Sequence, residues 1–577
     1  MKMNTGLSKK LRYGGVTAAL TAAIIAIVII VNVIFSALAQ KNLWYTDLTP
    51  ELFFTLSENA ITLMKEGDTS FEKSTSPIKK IDEFRAAAKA KNSELTDEEL
   101  KDNIRINIIF CNDQLTWTED TAQRYVLETA KQLREEFPDY ITIEYIDIIR
   151  NPTAVTKYGT GISTSSVIIE CKNSFDDIAD EFRVRGLKSF YVFDTDDSED
   201  PWAYNGEKIF AASILSVTRA DTPVACITTG HGEQLPGESF LLTLVNAGYD
   251  IKSIDLSKED IPENCRLMIV SSPQSDFMVS DDGLSDISYN EIDEIRKLED
   301  FLDGDSSLMV FMDPLLTTRL TNFEDYLEEW GIKFDRVEID KKNNVYEPYR
   351  IQDTSQSLDV NGYTIVGDYV DYGLGGEITE ELRKMNRKVI FPNAMSISYP
   401  DGDIVTVGGF RETEDGEILG DYGYMSVNGA YREIFDVFVS SDEAVAWTGQ
   451  DANPVETAKN GNNFKLMTIT VEDHNIQESN YTTVNEPSYV IATGCSAFAV
   501  DQMLHGQYGN NMFLEYTLRV ISHEPVPVGL TFKPFGDYTI DTVTTQEATQ
   551  YTVAFTVTPL IIALAVGIVV IVRRKNR

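Results

Sequence analysis

The sequence predicts an α/β protein that is built from two α/β units and carries one membrane-spanning helix near each end. Three observations lead to this fold class. Two long segments contain no charged residue, apolar β-branched runs alternate with helical patterns between them, and 43% of the 577 residues are hydrophobic. A chain of this composition buries real cores and is not disordered.

The two uncharged segments predict transmembrane helices. Residues 16–39 and 552–572 are each long enough to cross a bilayer core of about 30 Å. The tails 1–15 and 573–577 hold eight of the 50 basic residues and none of the 91 acidic ones. Because basic residues stay on the cytoplasmic side, we expect a two-span cell-membrane protein with both ends in the cytoplasm and an extracytoplasmic bulk at 41–551.

The end of the first segment permits a second interpretation. Ala37-Leu38-Ala39 followed by Gln40 resembles a signal-peptidase site. The apolar stretch before it is longer than the roughly 7–15 residues of a signal peptide, which favours an uncleaved anchor. Cleavage would leave the C-terminal helix as the sole anchor and would keep the bulk of the chain on the same side.

Charge and cysteine content exclude several classes of protein. With the eight basic tail residues set aside, the region between the spans has a net charge of −49, which repels nucleic acid. The cysteines are widely spaced and form no CxxC pair, so we expect buried thiols and no disulfide framework, although one bridged pair remains compatible with the spacing. They are Cys111, Cys171, Cys226, Cys265 and Cys495.

The first α/β unit is predicted at 41–220. A helix at 119–137 follows the first of its strands, an order that indicates parallel pairing. A Lys- and Glu-rich stretch at 67–103 is predicted to be an exposed, charged insertion. The strands are predicted at 104–111, 141–148 and 167–171.

The second α/β unit is predicted at 221–525 and is joined to the second span by a linker at 526–551. Its strands and helices alternate, which is typical of a doubly wound sheet, and a β-rich insertion at 335–485 interrupts them. The strands are predicted at 224–228, 249–254, 266–271, 308–312 and 488–493, and the helices at 239–247, 288–302, 321–330 and 511–521.

The best candidate for a binding site is the turn Gly230-His231-Gly232-Glu233, directly after the first strand of the second unit. Ligands bind at strand ends in such sheets, and glycines allow a tight turn. His231 and Glu233 have side chains that serve as acid and base or as metal ligands. A structural turn in which Glu233 caps the next helix is the competing interpretation.

Other motifs are absent from the sequence. There is no GxxxxGK[ST] loop, so the chain is not itself the ATPase of a transporter, and no GxGxxG follows a strand. No HExxH pair occurs, and the acidic run 194–200 lacks the Gly and Glu of an EF-hand. The turn at Cys495 lacks the final Gly of a nucleophile elbow. We therefore expect no metal, no cofactor and no catalytic triad.

An ordered set of motifs resembles the GldG-like, gliding-motility-type auxiliary components of uncharacterised ABC transport systems. The similarity covers most of residues 43–525 and includes the two-span topology. The motifs are Asp47-Leu48-Thr49, Leu56-Ser57, Glu144-Tyr145-Ile146-Asp147, Asn151-Pro152, Tyr158, Asn205-Gly206-Glu207, Thr229-Gly230-His231-Gly232-Glu233, Asp313-Pro314, Gly331-Ile332, Gly494, Phe498 and Asn510.

The resemblance implies a non-enzymatic extracytoplasmic subunit that works beside a membrane permease and a separate cytoplasmic ATPase. It also implies that the second unit is a glutamine-amidotransferase-like sheet without its catalytic triad. The insertions at 67–103 and 335–485 depart from the family pattern, so a shared ligand does not follow. The alternative hypotheses are a cell-surface hydrolase or amidotransferase-like enzyme that uses His231 and Glu233, and a purely structural surface scaffold.

Overall fold

The computed structural model describes residues 52–535 with internal gaps, and these residues form a mixed α/β structure. Among the described residues, no helix combines the length and the apolar character needed to cross a bilayer. The predicted spans 16–39 and 552–572 lie outside the described residues, apart from Ile27, Ile30 and Val31. The gaps are 68–75, 160, 176–180, 194–200, 220–222, 281–291, 401–408, 413–417, 428–429, 449–462, 480–481, 505–506, 523–526, 528 and 531.

The first unit consists of a small sheet covered by helices. Its helices are α1 (Glu58–Glu66), α2 (Pro77–Lys91), α3 (Asp97–Asn103), α4 (Gln114–Glu119), α5 (Thr121–Glu136) and α6 (Gly206–Val217), with 3-10 turns at Pro152–Tyr158 and Leu187–Phe190. Its strands are β1 (Ile104–Phe110), β2 (Ile141–Tyr145), β3 (Val167–Asn173), β4 (Glu181–Arg185), β5 (Tyr191–Val192) and β6 (Ala203–Tyr204).

The first sheet is mixed: the predicted parallel pairing is confirmed for β1 and β2 and is wrong for β3 and β4. Its order is β2-β1-β3-β4, and only β1 and β2 run parallel, joined through α5. β3 begins opposite the end of β1, where Val167 pairs with Phe110, so the two strands run antiparallel. The connection from β2 to β3 contains a 3-10 turn and no crossover helix, and it returns the chain at the same edge of the sheet.

The charged stretch at 67–103 does not form an exposed insertion, because its helices pack into the core of the first unit. Ser76 caps α2, and Thr96 begins α3 with a capping box. Ile81 is fully buried, and Leu100 is 4% exposed, in the same apolar cluster as the β1 side chains. Most charged side chains of these helices are at least partly exposed, whereas Arg85 is 8% exposed and donates to the carbonyl oxygens of Ile104 and Asp139.

The second unit contains a large sheet with further helices. The helices are α7 (Glu238–Asn246), α8 (Glu294–Leu302), α9 (Thr321–Glu328), α10 (Gly373–Lys384), α11 (Asp501–Leu504) and α12 (Asn510–Ser522), with 3-10 turns at Lys341–Asn343 and Ser496–Ala499. The strands up to residue 400 are β7 (Val224–Thr228), β8 (Asp250–Ile254), β9 (Cys265–Ser271), β10 (Ser307–Phe311), β11 (Lys333–Phe334), β12 (Arg336–Asp340), β13 (Val345–Pro348), β14 (Arg350–Gln352), β15 (Thr364–Val366), β16 (Asp368–Tyr369), β17 (Ile390–Pro392) and β18 (Ile397–Ser398). The later strands are β19 (Gly409–Glu412), β20 (Ile418–Val427), β21 (Ala430–Val439), β22 (Val445–Trp447), β23 (Lys465–Ser479), β24 (Thr482–Thr493) and β25 (Lys533–Pro534).

One half of the large sheet is parallel, as the alternation of strands and helices predicts. The order β8-β7-β9-β10-β24 places five parallel strands side by side. Helices α7, α10 and α12 contribute to the apolar cluster on one face, and α8 and α9 contribute to the cluster on the other. In chain order the five strands lie 2-1-3-4-5, so the topological switch point falls between β7 and β9.

The region predicted as a β-rich insertion is rich in strands, but it does not form a separate body. Strands β23, β21, β20 and β19 continue the large sheet beyond β24 with antiparallel pairing. Met467 of β23 pairs with Thr493 of β24, so the amino end of β23 lies at the edge where the parallel strands end. That shared edge is the carboxyl edge of the sheet.

The two ends of the described chain meet on the first unit. Phe53 and Phe535 have ring centroids 5.0 Å apart, and β25 adds to the short β5–β6 sheet. The ammonium of Lys533 donates to the carbonyl oxygen of Leu52 at 2.9 Å and lies 3.3 Å from the Glu207 carboxylate. Glu207 also accepts from the backbone N–H of Ser57, the N-cap of α1, and thereby ties both chain ends to α6.

Candidate functional site

The predicted turn at 230–233 follows β7 at the switch point of the parallel strands. Gly230 and Gly232 have φ angles of 112° and 76°, which side-chain-bearing residues rarely adopt. A Cβ atom on Gly230 would lie 3.0 Å from the Asp255 carboxylate, so glycine is also required for space. The turn therefore brings His231 back over the end of the sheet.

His231 is held between two glutamates and a phenyl ring. Its Nδ1 lies 3.2 Å from Oε1 of Glu233, and its Nε2 lies 3.0 Å from Oε2 of Glu294. The imidazole stacks on Phe277 with a centroid distance of 4.0 Å. His231 is 6% exposed and Glu294 is fully buried, so this cluster, which we call the His231 clamp, is shielded from solvent.

The electrostatics of the His231 clamp favour a charged imidazolium. Burial alone would lower the pKa of His231, but hydrogen bonds to Glu233 and Glu294 outweigh burial and raise it to about 9. Burial opposes ionisation of Glu233 as well, yet the hydrogen bond from His231 lowers the pKa of that carboxyl. Glu294 is the first residue of α8, where the helix dipole favours a negative side chain.

This geometry limits what His231 can do chemically. Both ring nitrogens already face carboxylates, and a protonated imidazole cannot accept a proton as a general base at neutral pH. Glu233 does not cap α7, whose N-cap is Gly237, because its carboxylate binds the backbone N–H and the ring of His231 instead. These contacts hold the turn in place, and they differ from the helix cap that the competing interpretation predicted.

Further polar residues surround the switch point, and of these only Asp313 was singled out by the sequence analysis, as part of the resemblance. Ser272 follows β9 with a φ angle of 55° and is 1% exposed. Gln274 donates to the Ser272 carbonyl oxygen at 3.0 Å and to Asp313 at 3.2 Å. These residues come directly after predicted strands, which is the signal that could have identified them. Glu294 carried no such signal because its contact with His231 spans 63 residues.

The structure also contains a large cavity at the carboxyl edge of the sheet, which we call the tyrosine cavity. Its volume is about 840 Å³, within the usual range for small-molecule sites. It lies over the antiparallel half, beside the start of β23, the end of β21 and the segment that leads into α10. Four strand spacings separate β7 from β23, so the cavity is roughly 19 Å from the His231 clamp. The tyrosines that line it are Tyr349, Tyr369, Tyr372 and Tyr399.

The polar side chains of the tyrosine cavity hold one another in place. Lys465 forms an ion pair with Asp436, and its ammonium lies 4.2 Å from the ring centroid of Tyr399. The Tyr399 hydroxyl donates to Asp436 at 3.1 Å. On another wall, Asp335 accepts hydrogen bonds from two serine hydroxyls. Sequence reasoning missed this site, since its residues come from the stretch interpreted as an insertion.

The described residues form no evident centre for metal or thiol chemistry. Within the described ranges, no group of three or more His, Cys, Asp or Glu side chains is arranged to hold a metal ion. All five cysteines are buried thiols outside any disulfide, and their burial is what the sequence predicts for small apolar side chains. Burial raises the pKa of Cys111 to about 11 and that of Cys495 to about 12, so neither is a ready nucleophile.

Comparison of the sequence with known protein-family models and with curated proteins gave no match.

Proposed function

We propose that the chain is a non-enzymatic, extracytoplasmic auxiliary or binding subunit of an ABC-type transport system. It is anchored by the segments 16–39 and 552–572, with both tails in the cytoplasm, beside a separate permease and a cytoplasmic ATPase. Its second unit is glutamine-amidotransferase-like in layout and has lost the catalytic function. This proposal follows the resemblance described above and the absence of a nucleotide-binding loop from the sequence.

The observation that carries the proposal is the meeting of the two chain ends. A region with an anchor on each side needs both of its ends to face the same membrane, and ends that lie side by side meet this condition. Lys533 contacts the backbone of Leu52 and Thr55, and Phe535 packs on Phe53. The described region satisfies this requirement with defined contacts.

The geometry of the His231 clamp gives little support to the alternative enzyme. A catalytic base must be able to accept a proton and must reach a substrate, whereas His231 is buried and its pKa is raised to about 9. If His231 were catalytic, His231→Ala would abolish activity and leave the folded protein intact. We expect it to destabilise the fold instead. The tyrosine cavity is a better place for a ligand because it is preformed and large.

The topology can be tested with a membrane-impermeant maleimide on intact cells. The native cysteines are all buried, so the wild-type chain supplies a low background. Val360→Cys places a thiol at a site that is 81% exposed, and we expect it to be labelled before lysis. Ser8→Cys, in the basic N-terminal tail, is the matched control and should be labelled only after lysis. Shielding of Val360→Cys in intact cells would contradict the topology.

The transport role can be tested by purification of the tagged full-length chain from gently solubilised membranes. We expect a permease and an ATPase to co-purify. The control is a variant in which an unrelated apolar helix replaces residues 552–572, since it remains anchored but loses the contact with the permease. Recovery of neither subunit with the wild-type chain would refute the proposal.

A further inference from the structure

We infer that the tyrosine cavity binds an uncharged, polyhydroxylated molecule of the saccharide class, with Tyr399, Asp436 and Lys465 as one wall of the site. This inference rests on the proposed role as a binding subunit. It adds a class of ligand, which the family resemblance does not provide. Its structural support comes from the described residues that line the cavity.

The charge of the lining argues against an ionic ligand. Among the described residues that line the cavity, three are basic and three are acidic, although the region between the predicted spans is strongly acidic. Lys465 is paired with Asp436, and Arg336 lies 3.2 Å from Glu324 and donates to the Leu316 carbonyl oxygen. An anion or a cation that took Lys465, Asp436 or Arg336 as its partner would have to break these pairs, and separating a partly buried ion pair is costly.

The remaining chemistry of the lining suits sugar hydroxyls. A hydroxyl is both donor and acceptor, and the walls provide carboxylate acceptors, ammonium donors and serine hydroxyls that do both. Asp335, Ser396 and Ser398 form such a group, with the Asp335 carboxylate accepting from Ser396 at 2.7 Å. The C–H faces of a pyranose ring pack well on aromatic rings, and the cavity has four tyrosines.

The cavity is also organised before any ligand enters. The Tyr369 hydroxyl donates to the Arg387 carbonyl oxygen, and the Tyr369 ring packs on Phe438 with centroids 5.2 Å apart. Tyr399 is held by Asp436 and by the Lys465 ammonium over its ring. Side chains that are already fixed lose little entropy on binding, so even a small uncharged ligand gains measurable affinity.

The test is isothermal titration calorimetry on the full-length protein in lauryldimethylamine oxide. A maltoside or glucoside detergent is avoided because its headgroup would compete for the cavity. The probes are the uncharged saccharides maltotriose, cellotriose, mannotriose and diacetylchitobiose. The comparators are glycylglycine as a zwitterion and inorganic phosphate as an anion. We expect at least one saccharide to bind and neither comparator to do so.

Variants connect the binding to the cavity. Tyr399→Ala should weaken saccharide binding about tenfold or more, which is the loss of roughly one aromatic contact. Tyr399→Phe should retain most of the affinity because the ring remains. Tyr431→Ala removes a 55% exposed tyrosine outside the cavity and is the matched control, with unchanged affinity. Circular dichroism confirms that each variant is folded.

Three results would overturn the inference: no saccharide binds to the folded wild-type protein, a comparator binds in place of the saccharides, or Tyr431→Ala weakens binding as much as Tyr399→Ala does. None of them bears on the proposed transport role, which is tested by co-purification. If the wild-type chain binds a saccharide but co-purifies with neither a permease nor an ATPase, the transport role alone is refuted.

Discussion

Each ring nitrogen of His231 faces a glutamate, so at the scale of single residues this side chain acts as a buried cation between two anions. Such a cluster is stable only as a whole, because removal of the cation leaves two carboxylates in a place that excludes water. The exposed fractions are 7% for the His231 side chain and at most 2% for the two carboxylates. Two predictions follow from this arrangement.

His231→Ala should lower the free energy of unfolding by about 3–5 kcal/mol, the usual cost of leaving buried charges without their partner. The measurement is urea-induced unfolding of the detergent-solubilised protein, followed by tryptophan fluorescence. His474→Ala is the matched control. Its nearest carboxylate, that of Asp303, is 3.8 Å away and 85% exposed, so we expect a loss of less than about 1 kcal/mol. Equal losses would contradict the clamp.

The pH dependence of stability should also report on His231. Its pKa in the folded protein, about 9, lies above the ordinary value of 6.5, so protonation stabilises the fold. This stabilisation is complete below about pH 6.5 and is lost as the pH rises through about 9. The melting temperature of the wild-type protein should therefore fall more steeply than that of His231→Gln between pH 7 and 10. Parallel pH profiles would show that His231 is not charged in the fold.

Only part of this residue-level picture could be predicted from the sequence. The strand-end position of His231 and the need for Gly230 and Gly232 follow from local patterns. The partner Glu294 does not, because no local rule connects residues in different elements across 63 positions. The tyrosine cavity could not be predicted either, because the strands that form it come together only in the folded sheet.

At the scale of secondary-structure elements, β24 joins the parallel half of the sheet to its antiparallel half. The residue after its end, Gly494, pairs with Met395 of the segment that precedes β18. A Cβ atom on Gly494 would lie 2.3 Å from the Met395 carbonyl oxygen, closer than any real contact. The close approach of two backbones therefore depends on this glycine.

Gly494→Ala should destabilise the protein by about 1–3 kcal/mol, because backbone atoms must shift to relieve the overlap. Gly304→Ala is the matched control, since no atom lies within 4 Å of its added Cβ. Urea unfolding of the two variants checks the difference. If both variants lose the same stability, the close packing of Met395 on Gly494 is not a constraint on the fold.

Elements of the parallel half and of the first unit were well predicted, whereas the way in which the later strands join the large sheet was not. The strand Val224–Thr228 was predicted with its observed limits, because a short apolar run between turn residues leaves little freedom. Sheet membership depends on contacts between distant segments. For that reason residues 335–485 were predicted to be an insertion, although their strands extend the large sheet. The many charged residues of α2 and α3 led to the prediction of an exposed segment, although both helices also bury apolar side chains.

At the scale of the whole molecule, the contact between the chain ends depends on Glu207, whose carboxylate is 7% exposed. Glu207→Gln keeps the size of the side chain but removes the charge that faces Lys533. We expect a loss of about 1–3 kcal/mol and faster proteolysis near residue 52, because charged hydrogen bonds are worth more than neutral ones. Limited chymotrypsin digestion, which can cut after Leu52, Phe53 and Phe54, checks this against Glu238→Gln, a glutamate at the first position of α7. Equal digestion rates would contradict the role of Glu207.

The adjacency of residues 52 and 535 has a practical consequence for handling the molecule. A chain whose two ends touch can be circularised by a short peptide linker without distortion, or inserted as a cassette into a surface loop of a host protein. Joining the ends lowers the conformational entropy of the unfolded chain and leaves the folded chain almost unchanged. The cyclic form should therefore melt at a higher temperature than the linear one.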